Sequence, residues 1–402
     1  MTAEPTDRSS PPPQRRRVRD LGLRIGTLPP GPTNTIADVR DVTVGHRTVW
    51  RDEPDPPAGR GIARTGITAI VPLGERLPYE RVPAGAAVLN GAGEAIGITS
   101  IGEWATIETP IFLTSSTAIG RVYDGAVSVL SEADPGGWFG DAIMPVVAEC
   151  DDGDLNRSVP VQVDEDDVRA ALADARGSAG RPVPLGVVGA GTGMRAFEVK
   201  GGIGSASRVV RPIHRRLTTA PPDAPTFTLG VLVMANFGEL ERLVVDGVPV
   251  GAALVADGWP EAGGGRRRRR TRTNEGSCIV VVATDAPLFG HALERLARRA
   301  GLGLARTGST AHHGSGEIFL AFSTGIRLPR EEGPALRSTT HLDDEHLDPF
   351  FAAVVEATEE ATLDAIFTAD TSTGLDGRTV PGLPLDETLA LLHAAGRPVI
   401  PA

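Results

Sequence analysis

The stretch that most constrains this chain is the apolar run Cys278-Ile279-Val280-Val281-Val282-Ala283-Thr284. A run so rich in β-branched residues reads as a buried strand. Directly before it stand Gly263-Gly264-Gly265, five arginines from Arg266 to Arg270, and Thr271-Arg272-Thr273-Asn274-Glu275. A charged, glycine-led segment cannot pack, so a mobile surface loop is expected there. Gly276-Ser277 is therefore the joint between loop and strand. A hydroxyl at this joint can attack the Gly276 carbonyl, because glycine has no side chain to obstruct the approach. The attack gives an ester by N-to-O acyl shift, and hydrolysis frees Ser277 as a new N-terminus. Such a serine carries its own general base, its α-amino group. That amine has an ordinary pKa of about 7.7–8.0, suited to proton transfer near neutrality. A Gly-Ser pair at a strand entry is also plain turn chemistry, and the local residues leave both readings open.

Composition removes several classes of function. The formal charge of −11 argues against a general nucleic-acid binder, so the arginine run reads as a solvated, protease-prone loop. Two cysteines, Cys150 and Cys278, are too few for a disulfide framework. No apolar run approaches the roughly 18 residues of a membrane span. Residues 1–20, with Pro11-Pro12-Pro13 and Arg15-Arg16-Arg17, lack an apolar stretch and read as a disordered tail ahead of one domain over 21–402. A soluble cytoplasmic protein is expected.

Along the chain, Ile36 to Val44 alternates as a strand does, and further strands are expected around Ile67, Phe112, Val146, Phe227 to Ala235 and Ile318. Helices are expected over Val163 to Ala175, Pro287 to Ala300, Leu347 to Leu363 and Leu385 to Ala395. Asp246-Gly247 marks a hairpin turn. The acidic turn Asp151-Asp152-Gly153-Asp154-Leu155-Asn156 fails as a calcium loop. Arg157 stands where that loop needs Gly and Val163 where it needs Glu, so a solvated or pocket-rim turn is expected.

Candidate catalysts sort by elimination. Lys200, the sole lysine, sits among glycines and suggests a backbone role. No Gly-x-Ser-x-Gly elbow surrounds Ser277 or Ser315. His46 lacks local support as a base, and His312-His313 lack a Glu or Cys at a metal-ligand spacing. The self-sufficient N-terminal serine survives. Ser315 and Glu317, two apart on the lead-in to a strand, can point the same way, with Glu317 holding the α-amino group and Ser315 relaying to it. Asn236, at a strand end, is an apt donor to an oxyanion.

Asn274-Glu275-Gly276-Ser277, followed by Ile279 to Leu288, resembles the self-cleavage site of the DmpA-like aminopeptidases. That family comprises the L-aminopeptidase/D-esterases and the β-aminopeptidases. Asp38 to His46, the segments Gly189 to Gly193 and Lys200 to Gly204, Ala235 to Gly238 and Gly314 to Glu317 resemble it too. The likeness runs from about Gly31 to the C-terminal helices. It implies an αββα sandwich of the DmpA/ornithine-acetyltransferase type, cut into fragments 21–276 and 277–402. It implies processed heterodimers in larger homo-oligomers, with no cofactor or metal. Ser315, Glu317 and Asn236 match the family's Ser/Glu pair and oxyanion asparagine. Glu149 matches a residue that binds the substrate ammonium. Asn90 matches another family position, either lining the pocket or serving a turn.

One departure stands out. The family commonly carries an oxyanion-binding tyrosine two residues after the position of Glu149, and here that residue is Asp151. An aspartate donates only when protonated and repels an oxyanion. The function implied is an aminopeptidase or amidase acting on short peptides, amides or esters with a free amine. Two alternatives are an acyltransferase of the ornithine-acetyltransferase type, which uses an amine as acceptor, and a non-catalytic relative that binds small amines.

Overall fold

The structure, a computed structural model, describes residues 15–132, 142–259, 276–330 and 333–400. The first fourteen residues of the expected tail and the Gly263 to Glu275 loop lie outside the described residues.

Two sheets carry the fold. The five-stranded sheet runs in the order Val42–Asp52, Ile62–Pro72, Ile111–Ser115, Val146–Cys150, Ala95–Ile96. The larger sheet runs Gly202–Val210, Phe227–Asn236, Ser277–Thr284, Gly316–Ser323, Glu80–Gly91, Leu328–Pro329, with Thr106–Ile107 paired to Glu80–Gly91 off that path. Ser277–Thr284 and Gly316–Ser323 are parallel neighbours, held between antiparallel partners on either side.

The apolar run after Ser277 has no polar face because both its faces are covered. Ile279, Val281 and Ala283 pack between the sheets with Ile70, Leu113 and Ala148. Cys278, Val280 and Val282 pack under the helices Gly290–Arg306 and Asp348–Phe367. On the far side, Ile119–Glu132 and Glu165–Arg176 cover the five-stranded sheet through Val122, Val129, Val168 and Leu172. The expected αββα sandwich is the observed one. Among the described residues, no helix is long and apolar enough to cross a membrane.

Three expectations need correction. Residues 15–20 are packed, so the tail cannot extend to residue 20. Val18 is fully buried, Arg17 pairs with Asp364 at 2.7 Å, and Arg19 pairs with Glu360 at 2.7 Å. The acids lie on the buried Asp348–Phe367 helix, where Arg208 also pairs with Glu356 and Glu360. Ile36 to Val44 is not one strand. Ile36–Asp38 is a 3-10 turn, because the Asp38 carboxylate accepts from Thr33 N, Thr33 Oγ1 and Ser207 Oγ. Asp41, at φ 64°, then breaks the chain before Val42–Asp52 begins. The acidic turn is not solvated throughout. Asp152 is buried and accepts from Asn156 Nδ2, while Asp154 pairs with Arg195 and Arg378.

Candidate active site

Pairing register brings the candidates together at one end of the larger sheet. Asn236 lies opposite Ser277, Ser277 lies beside Gly316, and Glu317 lies opposite Asn90. Residues from four adjacent strands thus meet on two neighbouring rows, Asn236–Ser277–Gly316 and, one step along, Glu317–Asn90. Chain separation hides these rows from any local pattern; the ladder creates them.

The joint itself is held by backbone. The Gly276 carbonyl accepts from the Gly316 N–H at 3.2 Å. A β-carbon on Gly276 would stand 1.8 Å from the Asn236 carbonyl oxygen, so only glycine fits here. Ser277 is itself almost fully buried.

Strand alternation separates the helpers. Ser277 shares the inter-sheet face with Ile279, and its Oγ lies 3.7 Å from where a Gly93 β-carbon would be. Glu317 shares the helix-side face with Phe319, where it raises the pKa of its neighbour Cys278 after burial has done so. Ser315 Oγ donates to Glu317 Oε1, as the two-residue spacing leads one to expect. Burial pushes the Glu317 carboxyl above the ordinary glutamate range, against that hydrogen bond. Its Oε2 is buried and has no hydrogen-bond partner among the described residues.

Asn236 is fixed by two backbone groups. Its Oδ1 accepts from Arg195 N at 2.8 Å, and its Nδ2 donates to the Asp151 carbonyl at 2.8 Å. An amide nitrogen carries two protons, so one remains for a ligand. Lys200 supports this arrangement from below. Its buried ammonium donates to the carbonyls of Gly191, Met194 and Gly201, and burial lowers its pKa to about 7. The expected backbone role for Lys200 is the observed one.

Glu149 comes from the other sheet. It is buried, its Oε1 accepts from Glu94 N at 2.9 Å, and its Oε2 accepts from Ser116 Oγ. Burial raises its pKa, and the nearby charges of Asp151 and Glu94 raise it further. Gly93 stands between this carboxylate and Ser277. A β-carbon there would lie 3.2 Å from Glu149 Oε1, 3.5 Å from Gly316 Cα and 3.7 Å from Ser277 Oγ.

Asp151 and Asn90 are placed differently from the other candidates. Asp151 is exposed, and its carboxylate caps its own turn through Gly153 N at 3.0 Å. Only its main-chain carbonyl touches Asn236. The Asn90 amide is engaged by the His312 carbonyl at 2.6 Å, a loop tie. His46 sits in the five-stranded sheet, where Nδ1 meets Thr68 Oγ1 and burial lowers its pKa to about 4. His312 faces Glu239 at 3.8 Å.

Gly93 and Ser116 were not singled out from sequence. Their only signals were the glycines of Gly91-Ala92-Gly93 and a serine pair closing a strand.

Ser277 at its glycine joint, the Asn236 amide and the buried Glu149 carboxylate thus converge around the gap at Gly93. The chain belongs to Peptidase family S58, whose profile matches residues 34–380. It is similar to the beta-peptidyl aminopeptidase BapA of Sphingosinicella microcystinivorans, at 38% identity over 383 residues, 94% of this chain and 91% of that one. Among solved structures it resembles a Burkholderia sp. beta-aminopeptidase, at 38% identity, TM-score 0.83, and coverage of 95% of this chain and 100% of that one. It equally resembles the L-aminopeptidase D-Ala-esterase/amidase of Ochrobactrum anthropi, a variant of the Ntn hydrolase fold. There the identity is 36%, the TM-score 0.83, and the coverage 95% of this chain and 99% of that one. The fold and the family make this protein a serine aminopeptidase/amidase.

Proposed function

We propose that the protein matures by cutting its own Gly276–Ser277 bond and then works through the freed Ser277. In the precursor, the Ser277 hydroxyl attacks the Gly276 carbonyl carbon, and the Gly316 N–H steadies the charge on that carbonyl's oxygen. The C–N bond breaks as the C–O bond forms, and water resolves the ester. Three things are left: a Gly276 carboxylate, a Ser277 α-amine and an unoccupied Gly316 N–H.

In the mature enzyme the α-amine accepts the hydroxyl proton as Ser277 Oγ attacks a substrate carbonyl. Asn236 Nδ2 and the Gly316 N–H stabilise the oxyanion, and such donors are each worth about 10²–10³ in rate. The proton passes to the leaving amine, and water then hydrolyses the acyl-serine. Glu317, oriented by Ser315, holds the α-amino group. Glu149 binds the ammonium of the substrate. The substrates are small amides, esters and short peptides with a free amine, in keeping with what the named relatives act on. The scheme calls for no cofactor.

The observation that carries this reading is the single row Asn236–Ser277–Gly316, with the Gly276 carbonyl already bonded to Gly316. The test is a gel with N-terminal sequencing. Wild type should give two chains, the smaller starting at Ser277, and Ser277→Ala should stay a single chain of 41.9 kDa. An intact wild type that still hydrolyses an amino-acid anilide rules the mechanism out.

A further inference from the structure

Neither a left-handed backbone nor a main-chain neighbour holds Gly93 as a glycine; its would-be β-carbon presses on the Glu149 carboxylate alone. Its backbone is outside the left-handed region, so its conformation suits any residue. Its position is exposed to solvent, and no backbone oxygen or nitrogen is among the three nearest atoms to its would-be β-carbon. Gly276 is the contrast, since there a β-carbon would meet the Asn236 carbonyl oxygen at 1.8 Å. What a Gly93 side chain would occupy is the gap itself, 3.2 Å from Glu149 Oε1 and 3.7 Å from Ser277 Oγ.

A substrate spanning that gap has its ammonium at Glu149 and its carbonyl carbon at Ser277. The carbon bearing the amine must then pass over Gly93. We propose that Gly93 is a specificity-determining residue, whose missing side chain admits substrates with a substituent on the amine-bearing carbon. The inference rests on the roles given above to Glu149 and Ser277. With an alanine at 93, a methyl group on the protein competes for the place of a methyl group on the substrate. A carbon bearing only hydrogens still passes. One methyl of misfit in a pocket is worth roughly 10–200-fold in kcat/KM.

The experiment compares wild type with Gly93→Ala on glycine p-nitroanilide and on whichever enantiomer of alanine p-nitroanilide wild type prefers. The alanine-to-glycine ratio of kcat/KM should fall about tenfold or more in the variant. A variant that loses both substrates in equal proportion, or neither, overturns the proposal. If Gly93→Ala is not recovered folded, wild type decides alone. It should turn over alanine at least as well as glycine, and confinement to glycine overturns the proposal. A wild type inactive on both, or a Ser277→Ala variant active on them, refutes the proposed function instead.

Discussion

The carbonyl of Gly276 points at the main-chain N–H of Gly316, 3.2 Å away across a parallel ladder. The bond proposed to be cut is therefore held by the segment that also carries Ser315 and Glu317. The Asn236 carbonyl closes the other side, near enough to exclude any β-carbon.

Gly276→Ala should stall maturation. The methyl would force the joint away from Asn236, and overpacking of this kind costs about 1–3 kcal/mol. The displaced carbonyl would also lose its bond to Gly316. A time course on a gel should show the single chain persisting long after wild type has been cut. Cutting at the wild-type rate would mean the joint is not held as described.

Glu149 should add its own step to the acid limb, beyond the one that protonation of the Ser277 α-amine sets. An ammonium needs the ionised carboxylate, and burial raises the pKa of this carboxyl. kcat/KM on an amine substrate should therefore fall as pH drops through a value above the ordinary glutamate range. Substrate amines stay protonated throughout that fall, so the limb belongs to the enzyme. Glu149→Gln should remove that step, leave the one belonging to the Ser277 α-amine, and raise KM roughly ten- to a hundredfold, the worth of a hydrogen bond to a charged group. A pH profile unchanged by that variant would take Glu149 out of the site.

Asp151 should act on Glu149 through space. Its charge adds to the rise in the Glu149 pKa, while its carboxylate is exposed and caps Gly153. Asp151→Asn should shift the Glu149 step of the acid limb to lower pH, because a neutral amide no longer opposes ionisation of Glu149. The shift should shrink with added salt, as expected for an exposed charge. Asp151→Tyr tests the family departure. A large gain in kcat would mean the turn re-forms to deliver the hydroxyl to the oxyanion. A shifted limb with little gain would mean the Asn236–Gly316 pair already suffices.

Arg17→Ala should weaken the fold by way of Asp364, whose side chain is fully buried. Stranding a buried charge costs about 3–5 kcal/mol. The loss should fall toward or below the low end, because Arg17 is 19% exposed and the carboxyl can protonate. Burial has already raised the Asp364 pKa to about 6. A carboxyl with a raised folded pKa favours the fold while protonated and loses that contribution as pH rises through the folded value. The deficit of Arg17→Ala should therefore be largest above about pH 6 and shrink below it. Urea midpoints at several pH values check this.

What could be read from sequence was whatever is local. The strand after Ser277, the Ser315/Glu317 alternation and the helix under Leu293 and Leu296 all depend on neighbours a few residues apart. The gap at Gly93 depends on two sheets facing each other, so no spacing announces it. The arginines at 17 and 19 looked solvated because the acids that bury them lie more than three hundred residues further along the chain. Asp38 alternated like a strand residue, yet its carboxylate gathers Thr33 and Ser207 into a turn. Asn90 offered two readings, and it ties the His312 loop while lying opposite Glu317.

The strands Ser277–Thr284 and Gly316–Ser323 sit in the interior of a sheet whose flanking strands, Phe227–Asn236 and Glu80–Gly91, precede Gly276 in the chain. Cleavage would therefore turn an intramolecular sheet into an obligate interface without moving an atom of its core. The precursor folds as one tethered chain, at a rate independent of concentration. An enzyme cut at Gly276–Ser277 would have lost that tether, so once unfolded its halves would have to find each other by diffusion. Maturation would thus leave a protein able to persist in a structure it can no longer readily reach. Its lifetime would be governed by the barrier to opening rather than by the balance of folded and unfolded states.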